Sequence, residues 1–219
     1  MKWLYKLERK FGRFAIPNLM MMIIIGQGMV FIANMINPNI NIIFNLSLFW
    51  PAVMHGQIWR LLTFIFIPAT SNVIGLVFTL YLYYIIGHTL ENEWGEFKFN
   101  VYYLCGILGA IVAAVISGQG TNTYINISLF LAFASLYPDF ELLMFFILPV
   151  KMKYLAFMAA VYYFILFIFG GWADKAAIVF SLINYFIFFG GDFFKTAKQE
   201  LKYAKTRRAW RNGNNNNKW

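Results

Sequence analysis

The chain has 219 residues, of which 61% are hydrophobic, 21% aromatic and only 12% charged. A soluble fold this apolar would lack the polar surface that water requires, so composition excludes one and defines a polytopic membrane protein. The net charge of +9 does not mark a specific nucleic-acid binder, because sixteen of the eighteen Lys and Arg sit at the termini or in alternate connections, the positive-inside pattern of topology.

Residues 1–13 carry five Lys/Arg, with Trp3, Leu4, Leu7 and Phe11 near helical spacing. They are expected to form a basic interfacial segment lying on anionic lipid headgroups. Pro17 fits a helix start, and residues 18–35 form the first apolar span. Its polar Gln27 and Asn34 are expected to face other helices. A long first outer loop, 37–67, contains one positive charge, Arg60, among aromatic residues that favour the membrane interface. In that apolar setting Arg60 should bond to carbonyls or phosphates.

The second span, 73–89, ends at Glu91, Glu93 and Glu96, and His88 stands one turn before Glu91, where the two can pair. The third, 99–116, places Gly106, Ala110 and Ala114 at four-residue spacing, with Gly109 and Ala113 beside them. Small residues so spaced let helix backbones approach closely in lipid, so this face is the expected packing seam. The fourth apolar segment, 124–137, is closed by Pro138. As a helix it spans about 21 Å, short of the roughly 30 Å hydrocarbon core. Its head must then lie below the surface, reachable by water only through a cavity.

Residues 140–150 are apolar but broken by Pro149 and read as an interfacial segment. A fifth span, 154–169, leads to an outer turn holding Trp172, Asp174 and Lys175, and a sixth runs from 176 to Gly190-Gly191. The last stretch, 195–219, carries eight Lys/Arg, one Glu and an Asn run, and reads as a partly disordered cytoplasmic tail. Its expected partners are anionic lipid or a cytosolic protein. Cys105 is the only cysteine, so no intrachain disulfide forms. No metal or cofactor site is expected. Asn, Ile, Lys and Phe are abundant, which suits an AT-rich bacterial genome, so a bacterial plasma membrane is the expected location.

Two motifs flank the second span: Trp59-Arg60 in the loop before it, and Leu90-Glu91-Asn92-Glu93-Trp94-Gly95 at its far end. Together with the truncated fourth segment they resemble the rhomboid superfamily over residues 14–194. The resemblance implies an all-α, six-transmembrane helical bundle with both termini cytoplasmic, and Glu91, Trp94 and Gly95 as a structural corner. Rhomboids cleave with a Ser–His dyad, because a hydroxyl needs a base to accept its proton. Family spacing puts Thr123 at the nucleophile position and Tyr124 at the glycine that follows it. Gly75 and Thr79 fall at the oxyanion His and Asn positions. No histidine lies between Trp172 and Phe194.

Ser128, one turn deeper, and His55, in the outer loop, are weak catalytic candidates. The chain therefore resembles the catalytically inactive, Derlin-like branch. That implies a pseudoprotease that binds transmembrane or membrane-anchored clients in protein quality control, folding or trafficking. Trp59, Arg60, Thr79, Thr123, Asn126, Ser128 and Asn184 are its expected pocket or client contacts. The alternatives are an active rhomboid protease with a non-standard site and a small-molecule transporter. Neither a 3+3 repeat nor a mid-span charge supports the transporter.

Overall fold

The computed structural model describes residues 2–37, 39–144 and 148–188. The tail expected at 195–219 and the expected end of the sixth span at Gly190-Gly191 lie outside them. Helix α1 (Lys2–Phe11) precedes α2 (Leu19–Ile36). A region of short pieces follows: α3 (Ile42–Leu46), β1 (Leu48–Phe49), α4 (Trp50–Met54) and α5 (Arg60–Thr63). Then come α6 (Val73–Trp94), α7 (Glu96–Ser117), β2 (Gln119–Gly120) and α8 (Thr123–Leu136). A hairpin of β3 (Glu141–Met144) and β4 (Leu148–Lys151) leads into α9 (Met152–Phe169), and α10 covers 172–188. Among the described residues, α2, α6, α7 and α9 are long and apolar enough to cross a membrane.

Two expectations change. The bundle is not purely α-helical, because Glu141–Met144 pairs antiparallel with Leu148–Lys151, with Leu142 opposite Val150. Eleven residues are too few to cross the bilayer as a helix. Pro149 cannot continue one either, but is tolerated in a two-stranded ribbon, where both strands are edges. The Met152 and Lys153 amides donate to the Phe140 and Pro138 carbonyls and close the hairpin onto the foot of α8. Second, Trp172, Asp174 and Lys175 stand in the first turn of α10 rather than in a loop.

Helix α7 is the central member. Tyr102, Phe99 and Ala114 are fully buried, and Ala113 and Tyr103 nearly so. Its small residues set the approach distances: a Cβ at Gly106 would lie 2.9 Å from Ile125 of α8, and one at Gly109 would lie 3.3 Å from Phe180 of α10. At one end of the bundle α6 turns into α7 through Gly95, at φ 85° and ψ 154°, a region essentially reserved for glycine. Trp94 tilts against Tyr102 there, with ring centroids 5.4 Å apart. Among the described residues no hydrogen bond joins Glu91 to His88, which acts on it only through charge. The Glu91 carboxylate accepts the Leu19 amide at 3.3 Å and caps the head of α2, while His88 stacks on Tyr84. The Glu-Trp-Gly motif is thus a corner that joins three helices.

The same end receives α1. Lys98 pairs with Glu8 at 3.6 Å and lies over the Tyr5 ring, and Leu4 is buried. Asn100 donates to the Ile16 carbonyl at 3.0 Å and anchors the link into α2. This leaves Lys6, Arg9 and Lys10 on the open face of α1.

Candidate functional site

The opposite end carries the first loop, the head of α8 and the start of α10. Arg60 is 3% exposed. Its Nε donates to Gln57 Oε1 at 2.6 Å, and its Nη1 donates to the carbonyls of Phe44 and Ser47. The guanidinium also lies 5.4 Å from the centre of the Phe44 ring. A planar cation with five donors satisfies several loop carbonyls at once, which an ammonium cannot. Trp59 remains half exposed at the surface.

Three polar contacts then fix this loop to the helices. Gln27 of α2, wholly buried, donates to the Ile65 carbonyl at 3.1 Å. Asn122, at the head of α8, donates to the same carbonyl at 3.1 Å and to that of Ile67 at 2.8 Å. The Trp50 amide donates to the Gly118 carbonyl at 2.8 Å, beside the Leu48–Gly120 bridge. Asn122 was not singled out in the sequence. Its signal is positional, an Asn immediately before an apolar helix, where side chains commonly bond backbone groups.

Below this loop a cavity of about 160 Å³ opens between α7, α8 and α10. Ser128 and Asn184 line it, with Tyr124, Asp174, Ser181 and the small residues of α7. Ser128 is 1% exposed, and its hydroxyl donates to the Ile125 carbonyl at 2.9 Å, the local bond typical of a helical serine. Asn184 donates to the Tyr102 carbonyl at 3.3 Å, while its Oδ1 has no partner among the described residues. The Tyr124 hydroxyl donates to Asp174 Oδ1 at 2.8 Å, and Ser181 donates to the Tyr124 carbonyl at 2.8 Å. Spacings of three, four and three put Asp174, Ala177, Ser181 and Asn184 on one face of α10, a periodicity legible in the sequence but not read there.

The remaining expected residues lie elsewhere. Thr123 is exposed and shares a hydrogen bond of 2.9 Å with Thr121. Thr79 bonds back to the Gly75 carbonyl within α6. Asn126 is buried beside Tyr83, on the α6 side of α8, close enough to interact with its hydroxyl, although among the described residues neither amide atom meets full hydrogen-bonding geometry. His55 is exposed, with Nδ1 2.6 Å from the Pro51 carbonyl, and it does not line the cavity. The cavity therefore joins a hydroxyl and an amide but brings no imidazole to the hydroxyl. No cluster of three or more His, Cys, Asp and Glu able to hold a metal occurs among the described residues.

The apolar helices, the buried polar clasps and the cavity at the head of a short helix define a multi-pass integral membrane protein. Residues 18–203 match the family described as eukaryotic integral membrane protein (DUF1751), and the chain belongs to that family. No curated protein matches it. The family overturns the expected bacterial plasma membrane, since its members are eukaryotic. Residue frequencies follow base composition, and AT-rich coding occurs in both kinds of cell.

Proposed function

We propose that this protein is a rhomboid-like pseudoprotease that holds membrane-anchored client segments without cleaving them, in quality control, folding or trafficking. One observation carries the reading. The cavity at the head of α8 is lined by Ser128 and Asn184, yet the Ser128 hydroxyl donates to its own helix and neither histidine lines the cavity. Hydrolysis needs a base beside that hydroxyl. Binding needs only polar groups able to meet a polar or unwound transmembrane segment, and the Asn184 carbonyl offers one.

In this reading the chain crosses the membrane six times with both termini in the cytosol, so that α1 and the basic tail meet anionic lipid. Trp59, exposed on the loop above the cavity, supplies an aromatic contact at the interface. Asn126 adds a second polar group on the α6 side. The test is co-purification of crosslinked membrane-anchored proteins with the wild type and with a variant carrying Asn126→Leu, Ser128→Ala and Asn184→Leu. Loss of clients from a variant that still elutes as a folded species supports the proposal. Unchanged co-purification overturns it.

A further inference from the structure

A second cavity, of about 350 Å³, lies on the other side of Tyr124 and Ser181 from the polar one. Its walls come from α8, α9 and α10 and are apolar: Ile127, Leu131, Phe164, Phe167, Val179 and Leu182. The two cavities share Tyr124 and Ser181, so a polar slot and an apolar groove meet at one seam. Tyr124 stands in the first turn of α8, Ser181 lies midway along α10, and Asp174, in the first turn of α10, is joined to the seam through the Tyr124 hydroxyl. From Tyr124 to Leu131 the groove runs about 10 Å deeper along α8. The one charge, Asp174, stands near the end of the bundle, and the apolar walls reach deeper, to Leu131 and Leu182, an arrangement that suits a lipid with its head at the membrane surface.

The hydrogen-bonding capacity left at the seam selects the head. The hydroxyl protons of Tyr124 and Ser181 are already donated, to Asp174 and to the Tyr124 carbonyl. What remains on both hydroxyls and on the carboxylate is the capacity to accept. Among the described residues Asp174 is the one formally charged residue lining either cavity, and Lys175 lies over Trp172 instead. The Asn184 carbonyl, at the far end of the slot, is again an acceptor without a partner among the described residues. The site thus favours a ligand head that donates and is cationic. Volume selects the tail: at roughly 30 Å³ for each water-sized group, the groove takes about a dozen chain atoms, one chain rather than two.

We propose that this seam binds a single-chain cationic lipid, a long-chain amino alcohol. Its ammonium pairs with Asp174, its hydroxyl is held by Tyr124 and Ser181, and its chain fills the groove between α8, α9 and α10. This site stands whether or not the protein binds clients.

The experiment is photolabelling of the full-length protein in phosphatidylcholine nanodiscs, using a long-chain amino alcohol with a diazirine in its chain and a terminal alkyne. Labelled peptides are expected to come from 127–131, 160–167 and 178–182, and excess unlabelled amino alcohol should compete. Asp174→Asn keeps an acceptor for Tyr124 but removes the charge, and should cut labelling about tenfold, the loss of one charge-assisted contact. Leu131→Trp should block the groove to a similar extent, while Lys175→Ala should leave labelling unchanged. A monoacylglycerol probe with the same chain should label as weakly as the amino alcohol does on Asp174→Asn. Labelling spread over α2 and α6 overturns the proposal, as does labelling unchanged in Asp174→Asn or equal for the neutral probe.

Discussion

Arg60 illustrates how a buried cation can hold a loop with no acidic partner among the described residues. Its bonds go to two carbonyls and a glutamine oxygen. Removing the side chain leaves those carbonyls unsatisfied in an apolar setting, at about 1–3 kcal/mol for each buried group. Arg60→Ala should therefore cost roughly 2–5 kcal/mol on thermal unfolding in detergent. Arg60→Lys should recover only part of this, because an ammonium cannot reproduce the planar fork. A different behaviour is expected at Asp139, where the hydrogen bond and charge of Lys153 hold the carboxyl below its usual range. A lowered folded-state pKa stabilises above the unfolded value of about 4, and this is lost as pH falls through the folded value. Hydrogen exchange at 141–144 and 148–151, corrected for intrinsic rates, should therefore quicken in acid, and Asp139→Asn should produce the same loosening at neutral pH.

At the scale of elements, close helix approach in lipid depends on missing side-chain atoms, because lipid supplies no hydrophobic drive between helices. A Cβ at Gly87 of α6 would overlap the side chain of Met20 on α2. Gly87→Ala should lower stability by about 1–3 kcal/mol, and adding Met20→Ala should recover part of that loss, as a shared overlap requires. Thermal unfolding of the four proteins in one detergent measures the coupling; additive losses would contradict the packing. The apolar helices were readable to within a few residues, although α6 runs on through Glu91 and Glu93 to Trp94 and α7 already starts at Glu96, because a carboxylate near a helix end does not stop the helix. The 14-residue helix from Thr123 was foreseen to one residue because Pro138 closes it. The hairpin at 141–151 was not foreseen, because a short apolar run bounded by proline has no distinctive period.

For the whole molecule, the two ends of the bundle do different work. One is clamped by Glu91, Asn100 and Lys98 around α1 and the head of α2. The other gathers the first loop, the head of α8 and the start of α10 around a cavity. Composition disclosed the membrane class, and the shortness of α8 drew attention to its head, beside which the cavity lies. Which side chains meet there depends on helix rotation, which single residues do not reveal. Ser128 and Asn184 converge on the cavity while Asn126, two residues before Ser128, faces α6, because neighbouring positions on a helix lie on different sides.

The cavity holds the Ser128 hydroxyl, and no histidine lines it. Fluorophosphonate labelling of the purified protein, run beside an active rhomboid, tests this most directly. No labelling is expected under conditions where the control is fully modified. Labelling that disappears in Ser128→Ala would contradict it.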